Sequence, residues 1–429
     1  MESTLKKPAV PILVSSFYEQ EIEVSYNYGM PGIRIQYIPG PVWGKDNAQL
    51  KAQIIEGNDP ILGGPVMKEI VEKFTKPLTA KEKNPGELKH DLPPATYTGT
   101  PAELQKLFLE KRYTDFMPVI LPTEKLVNAM LDATSHDPDE VLGKMNPGSE
   151  AGEMWTYTVR TAAINAVMAG AKPEYFPVIL AIGSTGTPAV NISDNGFAAG
   201  AVINGNIRDE IGLNYDIGAV GPYAQANTTI GRAWSLLSIN GGNCGKVGTT
   251  YTGTVGNPMN AINVIIAENE EKSPWEPFSV RRGKVGGFGF GGPQKPAGYK
   301  KGENVVTLLM GWGILSAVNW KANDWSELPN YALAIKNIYK EQGTMFGTFA
   351  VLSPPVANNI SNAGYDTADK LTKFVTDTGA APKGGPGGQG GFGMRGGSFN
   401  VVVTGASNNN YWMIGGMVPA ASVRIDDWR

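Results

Sequence analysis

Four acids and a tryptophan crowd the stretch AENEEKSPWEP, residues 267–277, directly after the apolar run INVII. Carboxylates delivered together by one strand end repel each other. At least one of Glu268, Glu270 and Glu271 should therefore hold its proton near neutral pH and be able to act as general acid or base. Alternation puts Glu268 and Glu270 on one side if the strand continues, with Asn269 and Glu271 on the other. Ser273-Pro-Trp275 would then turn the chain and set Trp275 as a flat apolar wall. The competing reading is a solvated loop whose acids pair with Lys272, Arg281 and Arg282.

A second cluster, Lys172, Glu174 and Tyr175, lies in the corner GAKPEYFP. A cation at a helix start opposes the helix dipole, and an anion facing Lys172 would resolve that conflict. Asn227, Thr229 and Arg232 offer amide, hydroxyl and guanidinium donors for a carboxylate, and the first amides of their helix could hold an anion. Asn408 and Asn409 sit in a donor-rich loop, SNNN, that could line the same cleft. These residues divide into candidate catalytic groups (Glu268, Glu270, Lys172) and candidate substrate contacts (Glu174, Tyr175, Asn227, Thr229, Arg232, Asn269, Trp275, Asn408, Asn409). The substrate they suggest is small and polar or anionic.

No metal ligands are assigned. Cys244 is the single cysteine, and the two histidines, His90 and His136, sit in the polar loops KHDLPP and SHDPDE with surface or capping roles. Any metal would be held by oxygen donors, favouring magnesium or calcium over zinc. No cofactor is assigned to this chain.

The elements that must position these residues alternate between strand and helix. AVPILVSSF and IRIQYIPGPVW read as strands, and residues 67–78 as a helix ending at a proline. Residues 102–113 and 123–133 are amphipathic helices, the second capped by Thr123. VRTAAINAVMAGAKPEYFPVILAIGST reads as two helices broken at the corner, AAGAVINGNIRDEIG as a strand and a short helix. ANTTIGRAWSLLSIN is a helix starting at Asn227 or Thr228. NVIIAEN, NVVTLLMGW, TMFGTFAVLSP and FNVVVTGA are strands, and 367–379 is a helix capped by Thr367. The pattern predicts an α/β (or α+β) fold of mixed sheets with flanking helices. Three parts are expected: a partial α/β segment at 1–80, a linker and helical region at 81–149, and a main domain at 150–429. Glycine-rich stretches at 286–302 and 383–397 read as surface loops or partner-contact arms.

Composition narrows the function. The 429-residue chain is 41% hydrophobic but only 18% charged, which suggests that other subunits cover part of its surface. A net charge of −3 gives no support to nucleic-acid binding. No run approaches the roughly 18 apolar residues of a membrane helix, and the start lacks a signal-peptide core. The cytoplasm is the expected compartment.

Four segments together, NAVMAGAKPEYFPVILA, NTTIGRAWSLLSINGG, IAENEEKSPWEP and VVVTGASNNNYWMIGGMVPAASVRI, resemble the UGSC-motif (seleno)protein family, in the same order. NDPILGGPVMKEIVEKFTKPLT is similar to that family's middle region. The family is named for a Sec/Cys-Gly-Ser-Cys motif, carried in relatives by an N-terminal Rossmann-like part. This chain contains no such motif, and it has Ala171 and Ile265 where relatives tend to carry cysteine. The resemblance implies one of two things. Either a separate small subunit bears the motif and this is the large subunit of a hetero-oligomeric, thiol- or selenol-dependent oxidoreductase, or this is a thiol-free paralogue. A stand-alone carboxylate lyase or hydrolase and a non-catalytic assembly protein are the other functions the residues allow.

Overall fold

Every residue of AAGAVIN is buried, and the segment forms β5 (Ala198–Asn204), an interior strand of a four-stranded sheet. The computed structural model describes the chain except residues 1–6, 19–20, 23–24, 26–29, 31, 43, 84–95, 148–153, 191–195, 222, 248–249, 252, 254, 261, 286, 290–291, 295, 317–329, 343–346 and 378–398. Beside β5 runs β6 (Val264–Ala267), parallel to it, and on the other side β9 (Val305–Gly311), antiparallel. The edge strand β14 (Met417–Arg424) pairs antiparallel with β9.

A second sheet repeats this plan. Its parallel pair is β11 (Thr348–Leu352) and β12 (Phe399–Val403). β13 (Trp412–Gly415) runs antiparallel to β11, and the short β10 (Leu315–Ser316) pairs with β13 at the edge. The orders are β14-β9-β5-β6 and β10-β13-β11-β12. After β9 the chain crosses into the second sheet as β10, and after β13 it crosses back into the first as β14. Each half thus lends its neighbour an edge strand.

Alternation along the strands sorts side chains into three cores. Ala199, Ala201 and Ile203 of β5 face a helical layer of α4 (Val159–Ala169), α5 (Phe176–Gly183) and α7 (Gln225–Asn240), meeting Ala162, Ile179 and Trp234. Val202, Ile266 and Leu309 on the opposite face meet Phe349, Val351 and Val402 of the second sheet. The far side of that sheet packs Leu352, Val401 and Val403 on Ile335, Val356 and Leu371 of α9 (Tyr331–Gln342), α10 (Pro354–Asn362) and α11 (Ala368–Thr376). The result is helix, sheet, sheet, helix, the mixed α/β architecture that the pattern predicts. Phe108 of α2 (Pro101–Glu110) and Val127 of α3 (Glu124–Leu131) also join the first helical layer, so part of segment 81–149 shares the main core.

Local chemistry explains several boundaries. Thr158 and Thr161 form a capping box on α4, which ends where Gly170 turns left-handed at φ 81°. Pro173 then opens a short 3-10 turn, and Pro177 lies in the first turn of α5. Thr367 caps α11 as expected, accepting from Lys370 N. Thr123 occupies the cap of α3 without a side-chain hydrogen bond. A helix starting at Asn227 or Thr228 is not what forms: α7 begins earlier, at Gln225, because the Asn227 side chain is spent on tertiary contacts. Residues 287–289 and 292–294, within one glycine-rich stretch, pair as a hairpin of β7 and β8, with β7 beside β14. The other stretch, 383–397, and Gly379 lie outside the described residues.

The N-terminal segment is built differently. Among its described residues the paired strands are β1 (Ile12–Val14) and β2 (Gln36–Ile38), parallel and much shorter than the apolar runs around them. Asp59 organises the segment, accepting from Gln36 Nε2 at 2.7 Å, Tyr37 N at 3.3 Å, and Ile61 and Leu62 amides at 2.7 and 3.0 Å. That carboxylate caps the outer edge of β2. The parallel register leaves the amide and carbonyl of Ile12 directed away from β2, along an edge that no described residue caps. Among the described residues up to Lys83, the buried apolar side chains are Tyr37, Ile38, Val66 and Leu78. Ile12, Ile55, Leu62, Met67, Val71 and Phe74 are exposed, the last three on α1 (Val66–Thr75).

Candidate functional site

The acids of AENEE turn inward. β6 stops at Ala267, but Glu268 N still donates to Ile203 O, so the alternation carries on for the next residues. Glu268 and Glu270 therefore point the same way, towards Asn204 at the end of β5. Its Nδ2 donates to Glu268 Oε2 at 2.5 Å and to Glu270 Oε1 at 3.0 Å. Gly205 N donates to the same oxygen of Glu270 at 2.8 Å, and Phe278 N to Glu268 Oε2 at 2.6 Å. That last donor is the first residue of α8 (Phe278–Val285), so a helix N-terminus seals the carboxyl from one side.

Arg208, on the four-residue helix α6 (Ile207–Glu210), closes the cluster from the other side. Its side chain is 2% exposed and its guanidinium donates to Gly205 O at 2.8 Å, to Glu268 O, and to both oxygens of Glu271 at 3.2 and 2.8 Å. It lies 3.6 Å from Glu270 Oε1 and stacks over the Tyr215 ring at 4.9 Å. Salt bridging to Arg208 holds the Glu271 carboxyl below the ordinary carboxylate range. Burial pushes Glu268 the other way, upward, against the pull of Arg281 3.8 Å from its Oε1, the Phe278 amide and Asn204. Oε1 itself accepts no hydrogen bond. The upward push comes first from burial and least from the neighbouring Glu270, whereas the spacing alone predicts repulsion between the acids as the cause.

The loop also joins the two sheets. Asn269 N donates to Val403 O at 2.8 Å, and Thr404 Oγ1 to Ala267 O at 2.7 Å. Asn269 Nδ2 reaches Tyr215 O and Gly405 O, both at 3.2 Å. The carboxyl ends of β6 and β12 thus meet.

The remaining candidates scatter. Asn227 bonds Asn214 N through its oxygen at 2.9 Å, and Nδ2 reaches Asn214 O at 3.2 Å and Ile265 O at 3.1 Å. Thr229 donates back to Gln225 O within its helix. Arg232 grips Asp115 at 2.8 and 2.9 Å and Pro118 O at 2.8 Å, tying α7 to the loop after α2. The donors expected to hold an anion are committed to the fold. Trp275 is no wall of a cleft: it is buried in the core of the second sheet, with Nε1 donating to Tyr365 O. Asn408 and Asn409 are exposed. Lys172 is exposed, 3.9 Å from Glu174 and 5.9 Å from the Tyr175 ring centroid, and Tyr175 is buried. Glu268 and Glu270 are brought together; Lys172 is not brought to them.

Sequence reasoning missed Asn204 and Arg208, the two donors that organise the acids. Their signal was the Asn-Gly that ends the β5 run, followed by an arginine one short turn later. Burial also settles Cys244, whose thiol sits against Gly242 O with its pKa pushed up, unfit as a nucleophile. Among the described residues no cluster of three or more His, Cys, Asp or Glu could hold a metal, and no helix is long and apolar enough to cross a membrane.

A hollow of about 280 Å³ opens on the other face of α6, lined by Ala133, Glu174, Pro177, Ile207, Glu210, Ile211 and Arg429. Its tail wall is latched by His136, which stacks on Trp428 at 4.6 Å and holds Glu140 and Asp427 O, both at 2.9 Å. With acceptors at both ring nitrogens, the imidazolium is favoured and the pKa is raised. Since the folded value lies above the unfolded one, the latch's stabilisation is complete below pH 6.5 and lost as pH rises through the folded value. A proton NMR titration should place the His136 midpoint above 6.5; a midpoint below it contradicts this geometry.

No protein-family model, no curated protein and no solved structure matches this chain.

Proposed function

We propose that this chain is the large subunit of a thiol- or selenol-dependent oxidoreductase, shaping a small-molecule pocket while a separate small subunit carries the Cys/Sec-Gly-Ser-Cys motif. The observation that carries the reading is the unfinished N-terminal segment. Two-stranded parallel sheets do not stand alone in water, because both of their faces need covering. Here no described residue caps the outer edge of β1, and Met67, Val71 and Phe74 face solvent on α1, which packs beside β2. A partner strand along β1 with apolar side chains over α1 would supply both. The sealed thiol of Cys244 supports the same division, since the reactive sulfur or selenium must then come from elsewhere.

A stand-alone carboxylate lyase or hydrolase fits less well. Glu268 is fully buried, and Glu270, at 9% exposure, has Oε1 held by Asn204 and Gly205.

The test is native mass spectrometry on the tagged chain isolated from the cells that make it. The expected result is a small polypeptide containing the Cys/Sec-Gly-Ser-Cys sequence in fixed stoichiometry. Val71→Asp should weaken that association at least about tenfold by placing a charge in the apolar contact. Recovery of the chain alone, or with a companion lacking the motif, overturns the proposal; so does a complex indifferent to Val71→Asp.

A further inference from the structure

We infer that Glu268 is a proton-operated pin between the two sheets, set while it is a neutral acid and loosened when it ionises. Its side chain is 0% exposed and stands where the sheets are joined. The residue before it, Ala267, accepts from Thr404 Oγ1, and the residue after it, Asn269, donates to Val403 O. Its two carboxyl oxygens are served unequally. Asn204 Nδ2 and Phe278 N both donate to Oε2, whereas Oε1 is buried and accepts from no described residue. An ionised carboxylate needs donors at both oxygens, so burying one in this state costs more than burying the neutral acid.

The surrounding charges do not repair the deficit. From its own loop come Glu270, which shares the Asn204 amide, and Glu271. From α6 comes Arg208, spent on both oxygens of Glu271 and on the carbonyls of Gly205 and Glu268. From α8 comes Arg281, whose Nη2 stays 3.8 Å from Oε1 and donates instead to Val401 O at 2.7 Å. Arg282 lies beside Arg281, and Glu276 and Asp369 of α11 pull on the same guanidinium. Further out, Lys301 acts on Glu271 and Asp209 on Arg208. From the second sheet, Val401, Val403 and Thr404 bring no charge. Three acids of one loop thus face two guanidiniums, and the acid with no cation in contact keeps its proton. Burial pushes the Glu268 carboxyl in the same direction, upward. Since the folded value lies above the unfolded one, the pin's stabilisation is complete below pH 4.5 and lost as pH rises through the folded value. Asn269 also holds Tyr215 O and Gly405 O, so the loosening reaches the tyrosine stacked over Arg208.

Hydrogen exchange and urea denaturation of the full chain test the pin, in the wild type and in Glu268→Gln, which keeps the acid's shape and cannot ionise. Exchange over residues 267–277 is compared as a ratio, wild type to variant. That ratio should rise at least about tenfold between about pH 5 and pH 8. The wild-type folding constant should fall against the variant's by up to about tenfold per pH unit above the folded value. His136 titrates in both chains, so its slope cancels. Glu271→Gln, which removes an acid held ionised by Arg208, should keep the wild-type pH dependence of exchange. Ratios that stay constant with pH overturn the inference, as does a Glu271→Gln chain that loses the dependence. Should Glu268→Gln fail to fold, infrared spectra of the wild type decide. The stretch of a protonated carboxyl should persist above pH 4.5 and vanish in step with faster exchange at 267–277. Its absence above that pH, or its loss without faster exchange, overturns the inference.

Discussion

Replacing Arg208 by methionine is expected to cost about 3–5 kcal/mol of stability, the penalty for removing one partner from a buried ion cluster. Methionine matches much of the arginine stem, so little packing is lost. What disappears is the charge and four hydrogen bonds: to Gly205 O, Glu268 O and the two oxygens of Glu271. Glu270, nearly buried and 3.6 Å away, would then lose the cation paired with it. Urea denaturation of the wild type and of Arg208→Met measures the loss. Adding Glu270→Gln should recover part of it, because the orphaned charge is then neutral. A loss below about 1 kcal/mol would mean that the guanidinium does not hold the loop.

The second large effect is expected at Gly415, where the chain crosses from β13 towards β14. A Cβ there would lie 1.9 Å from Gly313 O and 2.9 Å from Ile314 Cα, both backbone atoms of the opposite crossing. Nothing flexible can give way. Gly415→Ala should cost about 3 kcal/mol, at the upper end of overpacking penalties. Gly364→Ala is the control. Its φ is +105°, but an added Cβ meets nothing within 4 Å, so only the backbone conformation is at stake and about 1 kcal/mol should be lost. Thermal melts of the two variants separate the effects. Equal shifts would show that the close approach of the crossings carries no weight.

The mixed α/β class was legible because its strands are short apolar runs and a helix such as α11 carries the cap expected of it, Thr367. Pairing order was not, since nothing local in NVVTLLMGW tells β9 to lie between β5 and β14. In the site, period two correctly predicted that Glu268 and Glu270 share a side. It could not tell that this side faces inward, because that depends on Asn204 and Arg208, more than sixty positions away. Arg232 misled for the same reason: its partner, Asp115, lies 117 residues upstream. Trp275 read as a wall because a tryptophan after acids looks exposed, whereas its ring fills a core formed by segments far along the chain.

Swapped edge strands bind the halves of the sandwich like two hands clasped at the wrist. Pulling β14 out of the first sheet drags on β13 in the second, and freeing β10 drags on β9. Heat or force applied to one half is therefore shared by the other, and the sandwich should melt as a single cooperative body rather than sheet by sheet.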